Sequence, residues 1–178
     1  MTKRIWRPGT VLYPLPAVMV SCGSLDSPNI ITVAWCGTLC TSPAMTYVSI
    51  RPERFSYHLI EESGEFVINL TTEALCRAVD FCGVKSGRDV DKFKACSLTA
   101  SRSVKVSAPS IEESPVNIEC RVKQIIKTGG THDSFVAEVV SVSVDEKYFD
   151  ETGKKKKKKT KPICYSHGGY FTLGEQVG

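Results

Sequence analysis

The sequence predicts a mainly β chain, an antiparallel meander or barrel with a few short flanking helices, and three observations predict it. Four short apolar segments rich in Val, Ile, Phe and Tyr follow one another within about fifty residues, too close for repeated βαβ crossovers. Only two stretches show helical spacing. Two longer alternating runs, 116–127 and 133–144, face each other across Thr128 to His132 and read as a long hairpin.

In chain order, the predicted strands are Ala17 to Gly23, Asn29 to Trp35, Met45 to Ile50 and Glu65 to Leu70, each bounded by Pro, Gly, Ser or Asn. The first helix is expected to begin near Arg54, after Pro52 in an initial turn, and to stop at Gly64, which suits the residue after a helix end. The second follows Thr71-Thr72, either of which can cap it, carries Leu75, Val79 and Cys82 at helical spacing, and stops at Gly83. From Gly83 to Pro109 the chain is polar and irregular, long enough to be a functional excursion. The tail "PICYSHGGYFTLG" offers one more short strand pair around Gly168-Gly169. There is no internal repeat.

Composition bounds the function classes. A chain of 178 residues with 42% apolar and 24% charged residues supports one core, so a single domain over 1–178 is expected, with a lysine-rich loop at 153–161. No apolar run approaches the ~20 residues of a membrane span, and "MTKRIWRPG" lacks a secretory h-region; the reading is a soluble, cytoplasmic protein. The formal charge of +4 misleads: seven lysines lie between Lys154 and Lys161, and the rest of the chain carries 16 basic and 19 acidic side chains. A lysine run with no interleaved aromatic cannot stack bases, so no nucleic-acid partner is expected. The eight cysteines form no CxxC pair and read as reduced thiols. Cys36 and Cys40 have a spacing that suits a metal, but no second Cys or His pair stands nearby, and no metal is expected.

The segment "VSIRPERFSYHLI" holds the densest chemistry. A strand ending at Ile50 gives way to a helix start, and Arg51, Arg54 and Ser56 sit at the seam. A phosphate needs charge-assisted donors; arginine supplies a planar fork, and a helix N-terminus supplies free N–H groups and a positive dipole. The same residues also read as surface arginines beside an ordinary first turn.

The succession "LYPLPAVMVSCG", "NIITVAWCGTLCTSPAMTYVSIRPERFSYHLIEESGEFVINL", "VDKF", "IEC", "THDSFVAEVV" and "GGYFTLG" resembles the flavin reductase-like family, and its flavoredoxin branch in particular, from about Tyr13 to Gly174. The resemblance implies the FMN-binding split β-barrel, antiparallel and of Greek-key type, and a homodimer with FMN near the subunit interface. It implies electrons passing from a donor such as NAD(P)H through the flavin to a small-molecule or protein acceptor. "NIITVAWCG" is similar to the strand bordering the isoalloxazine ring, which points to Thr32, Val33, Ala34, Trp35 and Cys36. "SIRPERFS" is similar to the ribityl and phosphate turn, which points to Ser49, Ile50, Arg51, Arg54, Phe55 and Ser56. Asn69, Lys92 and His132 fall where the family approaches the flavin or its nicotinamide partner.

Several side chains keep two readings. Trp35 suits a barrel-core aromatic as well as a ring contact, and Cys36 suits a small apolar filler as well as a thiol near the flavin. His132 is the candidate catalytic residue, able to orient a nicotinamide or donate a proton, or it is a turn histidine bonded to backbone. His58 reads as a helix residue and His167 as a loop residue. No GxGxxG opens a helix after a strand, so a nicotinamide donor must meet the flavin in the same barrel. A flavin-dependent NAD(P)H oxidoreductase is the favoured reading. A flavoredoxin-type electron carrier reduced by an acidic partner protein, steered by the lysine run, is the alternative. A split-barrel module for another phosphate ligand is the third.

Overall fold

The computed structural model describes residues 1–149 and 160–178. Its twelve strands are β1 (Leu15–Pro16), β2 (Val18–Gly23), β3 (Pro28–Val33), β4 (Cys36–Thr41), β5 (Ala44–Ile50), β6 (Glu65–Leu70), β7 (Ala100–Ser101), β8 (Ser110–Ile111), β9 (Val116–Lys127), β10 (Asp133–Val144), β11 (Ile163–Ser166) and β12 (Gly169–Thr172). Three helices are α1 (Phe55–Ser63), α2 (Cys76–Val84) and α3 (Lys92–Ala95). The expected lysine-rich loop lies outside the described residues apart from Thr160 and Lys161; Lys161 pairs with Glu73 at 2.7 Å. Among the described residues no helix is long and apolar enough to cross a membrane.

Seven antiparallel strands form one sheet in the order β3-β2-β6-β9-β10-β5-β4. The sheet curls into a split β-barrel because its inward residues share one core. Ile31 and Val33 from one end and Val48 and Ile50 from the other pack with Val18, Val20, Phe66, Ile68, Phe135 and Ala137. Tyr57 and Ile60 of α1 close this core at one end. The end strands β3 and β4 are not paired with each other, and the split lies between them. At that corner Ser49 N–H donates to Trp35 O (2.8 Å).

A second core lies on the outer face of β2 and β3. Ala17, Met19 and Ile30 meet Leu75, Val79 and Cys82 of the second helical segment and Phe93 of α3. The strand β3 is therefore apolar on both faces, which explains why "NIITV" reads as a continuous apolar run and not as an alternation.

The helices differ from expectation at their starts. Pro52 lies in a turn closed by Arg54 N–H to Arg51 O (3.0 Å), and α1 begins at Phe55; it ends at Gly64, whose φ of 66° is the left-handed conformation that glycine takes without strain. Thr71 does not cap the second helix: it is buried, and its hydroxyl donates to Ala17 O. A 3-10 turn, Glu73–Leu75, leads into α2, which runs one residue past Gly83. Of the strands and helices without a sequence signal, β4 and α3 are the longest. The strand β4 is an edge strand with only Cys36 buried, so no apolar alternation marks it, and α3 in the polar excursion is one turn long, capped by Asp91 accepting from Lys94 N–H (3.0 Å).

The excursion is pinned to the barrel by carboxylates. Glu119, fully buried on β9, accepts from Val104 N–H (2.9 Å) and Lys105 N–H (2.6 Å). Glu65 accepts from Ser107 N–H and Oγ (both 2.7 Å) and pairs with Arg121 (3.3 Å). Burial works against the Glu65 charge, but the Ser107 bonds and the Arg121 guanidinium together hold its carboxyl below its ordinary value. The unfolded chain then binds more protons at acid pH, so this stability is present above the ordinary carboxylate range and is lost as pH falls through it. Ser107→Ala is expected to be about 1 kcal/mol less stable than the parent at pH 7, with the difference narrowing in acid. Urea unfolding at pH 7 and pH 4 measures this, and a difference constant with pH would remove Glu65 ionisation from the account.

Candidate functional site

The unpaired edge of β3 opens onto two adjoining cavities of about 260 Å³ and 190 Å³ that share Ile31, Arg51 and Arg54. In an antiparallel strand the N–H and C=O of one residue point to the same side, and successive residues alternate. Ile30 O faces away from β2, because Lys92 Nζ reaches it at 2.6 Å. Thr32, two residues on, therefore presents its N–H and C=O to the same open edge. That is a pair of fixed, non-titrating hydrogen-bonding groups along a cavity wall.

The larger of the two cavities is lined by the corner Ile31 to Trp35, by Ser49 to Arg51, and by Arg54 and His132. Thr32, Val33, Ala34, Trp35, Ser49, Ile50, Arg51, Arg54 and His132, all candidate site residues, thus line one cavity. Tyr13 and Tyr165 complete the wall. Neither was anticipated; they come from β1's approach and β11, distant in sequence and joined by the pairing of β1 with β11, their rings 6.3 Å apart between centroids.

Trp35 is 39% exposed, so it is not a barrel-core aromatic: β3 ends at Val33 and the chain turns, carrying the indole to the rim. His132 stands edge-on to it, ring centroids 4.2 Å apart, with Nδ1 at 2.9 Å from Thr131 Oγ1. Partial burial and the Arg51 charge lower the His132 pKa below its ordinary value, so the imidazole is neutral at pH 7 and serves as a hydrogen-bonding and stacking group there. A third cavity of about 610 Å³ shares Trp35, Ser49 and His132 and runs along Val11 and Leu12.

The smaller cavity is cationic. Arg51, Arg54, Lys85, Arg88 and Lys92 line it with one carboxylate, Glu53, together with Phe55, Ser56, Ser86 and Gly87. Glu53 pairs with Arg51 (3.2 Å). Arg88 lies over the Phe55 ring (5.5 Å) and donates to Glu53 O (3.2 Å), which docks the 86–88 turn on the seam. Arg54 stands at the N-cap of α1 and offers no side-chain cap; Tyr57 N–H donates to Arg54 O (3.0 Å), and the N–H groups of Phe55 and Ser56 are left at the cavity. Lys92 is 4% exposed and donates to Ile30 O and to Cys82 O (2.9 Å). Burial lowers its pKa, and among the described residues it has no carboxylate partner. A buried cation without a counter-charge, in a cavity lined by four further arginine or lysine side chains and an uncapped helix start, fits an anionic ligand.

Two expected site residues lie elsewhere. Asn69 lines neither cavity. It is fully buried between β2, β6 and β9, where it donates to Met19 O (3.0 Å), Ser21 Oγ (2.9 Å) and Val67 O (3.2 Å), and accepts from Ile111 N–H (3.0 Å) and Asn117 Nδ2 (2.8 Å). The Cys36 side chain points into the barrel core, where burial pushes the thiol up to about 11 and leaves it inert. Cys40 is exposed, so the two thiols face different environments.

The profile of the flavin reductase like domain matches residues 10–174. The chain belongs to the flavin reductase-like family. Two family relatives in sequence are proteins of undescribed activity: one from Archaeoglobus fulgidus, 37% identical over 139 residues (78% of this chain, 77% of that one), and one from Pyrococcus abyssi, 36% identical over 140 residues (79% and 80%). Among solved structures, the flavoredoxin of Desulfovibrio vulgaris (Miyazaki F) superposes with a TM-score of 0.90 at 30% identity, covering 99% of this chain and 96% of that one. The flavoredoxin of Methanosarcina acetivorans gives 0.88 at 26% identity, covering 99% and 95%. An FMN-binding protein from Thermus thermophilus with bound 1-cyclohex-2-enone gives 0.80 at 25% identity, covering 99% of each chain. Within the family frame the two cavities and the β3 edge between them form one continuous candidate site.

Proposed function

We propose that this protein is an FMN-binding oxidoreductase of the cytoplasm that takes electrons from NAD(P)H. The observation that carries the reading is the pairing of the open β3 edge at Thr32, continued by the corner Val33 to Trp35, with a cationic seat at Arg51, Arg54, Lys85, Arg88 and Lys92. The first suits the polar rim of a flat ring and the second a phosphate monoester dianion. Similarity to flavoredoxins and to an FMN-binding protein supports the same ligand. Bound FMN supplies reversible acceptance of one or two electrons. The chain's own part is to hold the phosphate through Arg54, Ser56 and Lys92, to meet the ring edge with backbone groups of β3, and to shield one end with Tyr13 and Tyr165. Neutral His132 against Trp35 offers a hydrogen-bonding group at the rim where a nicotinamide amide has access.

An electron carrier of the flavoredoxin type, reduced by a partner protein, is the second reading; the lysine run expected to steer that partner lies outside the described residues apart from Lys161. Similarity in fold to the two flavoredoxins favours it. A homodimer belongs to both readings: Val11, Leu12, Trp35 and Leu39 are exposed apolar residues, and Val11, Leu12 and Trp35 line the third cavity, a surface that a second copy would cover.

The test is a visible spectrum of protein incubated with FMN and freed of excess, followed by anaerobic NADH and then NADPH. Retained flavin that bleaches with either nucleotide is expected. Retained flavin that neither nucleotide reduces would move the assignment to the carrier, and failure to retain or turn over FMN would remove the flavin.

A further inference from the structure

Asn29 holds a position that the flavin reading does not by itself require. It lies on β3, 4% exposed, and its Nδ2 donates to Ser56 Oγ at 2.7 Å, with Ser56 only 2% exposed. The same amide nitrogen lies 3.9 Å from Cys22 Sγ, so both amide protons are directed to one side. The other side is taken by residue 87. A Cβ built on Gly87 would stand 2.1 Å from Asn29 Oδ1 and 2.8 Å from Asn29 Cγ and Phe55 Cδ1, so only glycine lets the 86–88 turn close over the carboxamide. The amide is thereby clamped between Ser56 and the turn that carries Arg88.

The consequence falls on the Ser56 hydroxyl. Asn29 occupies one of its lone pairs, and the acceptor within reach of its own proton is the weak one of the Cys22 sulfur, while Ser56 lines the cationic cavity with Arg54 and Lys92. A first-turn serine left alone rotates to suit local backbone groups. We propose that Asn29 is a positioning residue for the phosphate end of the site: its amide fixes Ser56 Oγ so that the hydroxyl donates into the cavity, to a phosphate monoester. The inference rests on the flavin reading and adds a specificity element to it, selecting phosphorylated FMN over riboflavin through a residue that touches neither.

The experiment compares dissociation constants of FMN and riboflavin, from quenching of flavin fluorescence, in the parent, Asn29→Ala, Asn29→Asp, Ser56→Ala and the Asn29→Ala/Ser56→Ala pair. Asn29→Ala is expected to weaken FMN about tenfold and riboflavin less than about twofold, and the pair to be no worse than Ser56→Ala alone. Asn29→Asp keeps the shape and the fold but accepts the hydroxyl proton, so FMN weakens more than in Asn29→Ala and the defect shrinks at acid pH. If the Asn29 variants lose both flavins equally, or Asn29→Asp binds FMN as the parent does, Asn29 is a packing residue and the proposal is overturned. A parent that binds riboflavin as tightly as FMN would instead sink the phosphate seat, and Asn29's role with it.

Discussion

Arg54→Ala is expected to weaken FMN binding about 10- to 100-fold while leaving riboflavin within about twofold, since one charge-assisted bond contributes about 1.5–3 kcal/mol. Among the arginines of the seat Arg54 is the least committed. Arg51 is paired with Glu53, Arg88 is held by Glu53 O and the Phe55 ring, and Lys92 serves two carbonyls. Arg54 lines both cavities, is exposed, and makes no side-chain cap to α1, so its loss should leave thermal stability within about 0.5 kcal/mol. Equilibrium titration with both flavins, beside a melting curve, reads the two effects separately. Equal weakening of FMN and riboflavin would move Arg54 out of the phosphate seat.

Asn69→Leu is expected to destabilise the protein by roughly 3–5 kcal/mol and lower its melting temperature by roughly 10 °C. The leucine is of similar size, but it leaves Ile111 N–H and Asn117 Nδ2 without their acceptor and removes the two amide protons shared among Met19 O, Ser21 Oγ and Val67 O. Asn69 fastens β8 to the outer face of β2, β6 and β9, at a place fully removed from water. The preference of whatever folded protein remains for FMN over riboflavin should match the parent. A variant that melts normally but loses FMN would return Asn69 to the cofactor, as the family resemblance implied.

What was legible in the sequence is what local chemistry writes down. The hairpin 116–127 and 133–144, the strand at Glu65–Leu70 and the helix ended by Gly64 each carry their signal within a few consecutive residues. The seam Arg51 to Ser56 was readable for the same reason: guanidinium groups, a hydroxyl and a helix start lie within six residues. The edge strand β4 was not, because an exposed edge buries one residue and shows no alternation.

Only the tertiary structure decided which distant segments share the site. Nothing near Lys92 in sequence shows that its ammonium bonds Ile30 O, 62 residues away, and with that bond sets which backbone groups of β3 face the open edge. Arg88 and Gly87 sit in a polar excursion that composition cannot distinguish from a surface loop, until the turn closes on Asn29 and Phe55. Trp35 and Asn69 show the converse: an aromatic in an apolar run went to the rim, and an asparagine expected at the site went to the core. The physical reason is common to all five. Burial and partnership are properties of the closed barrel, set by which strands become edges and where the sheet splits, and no window of sequence contains them.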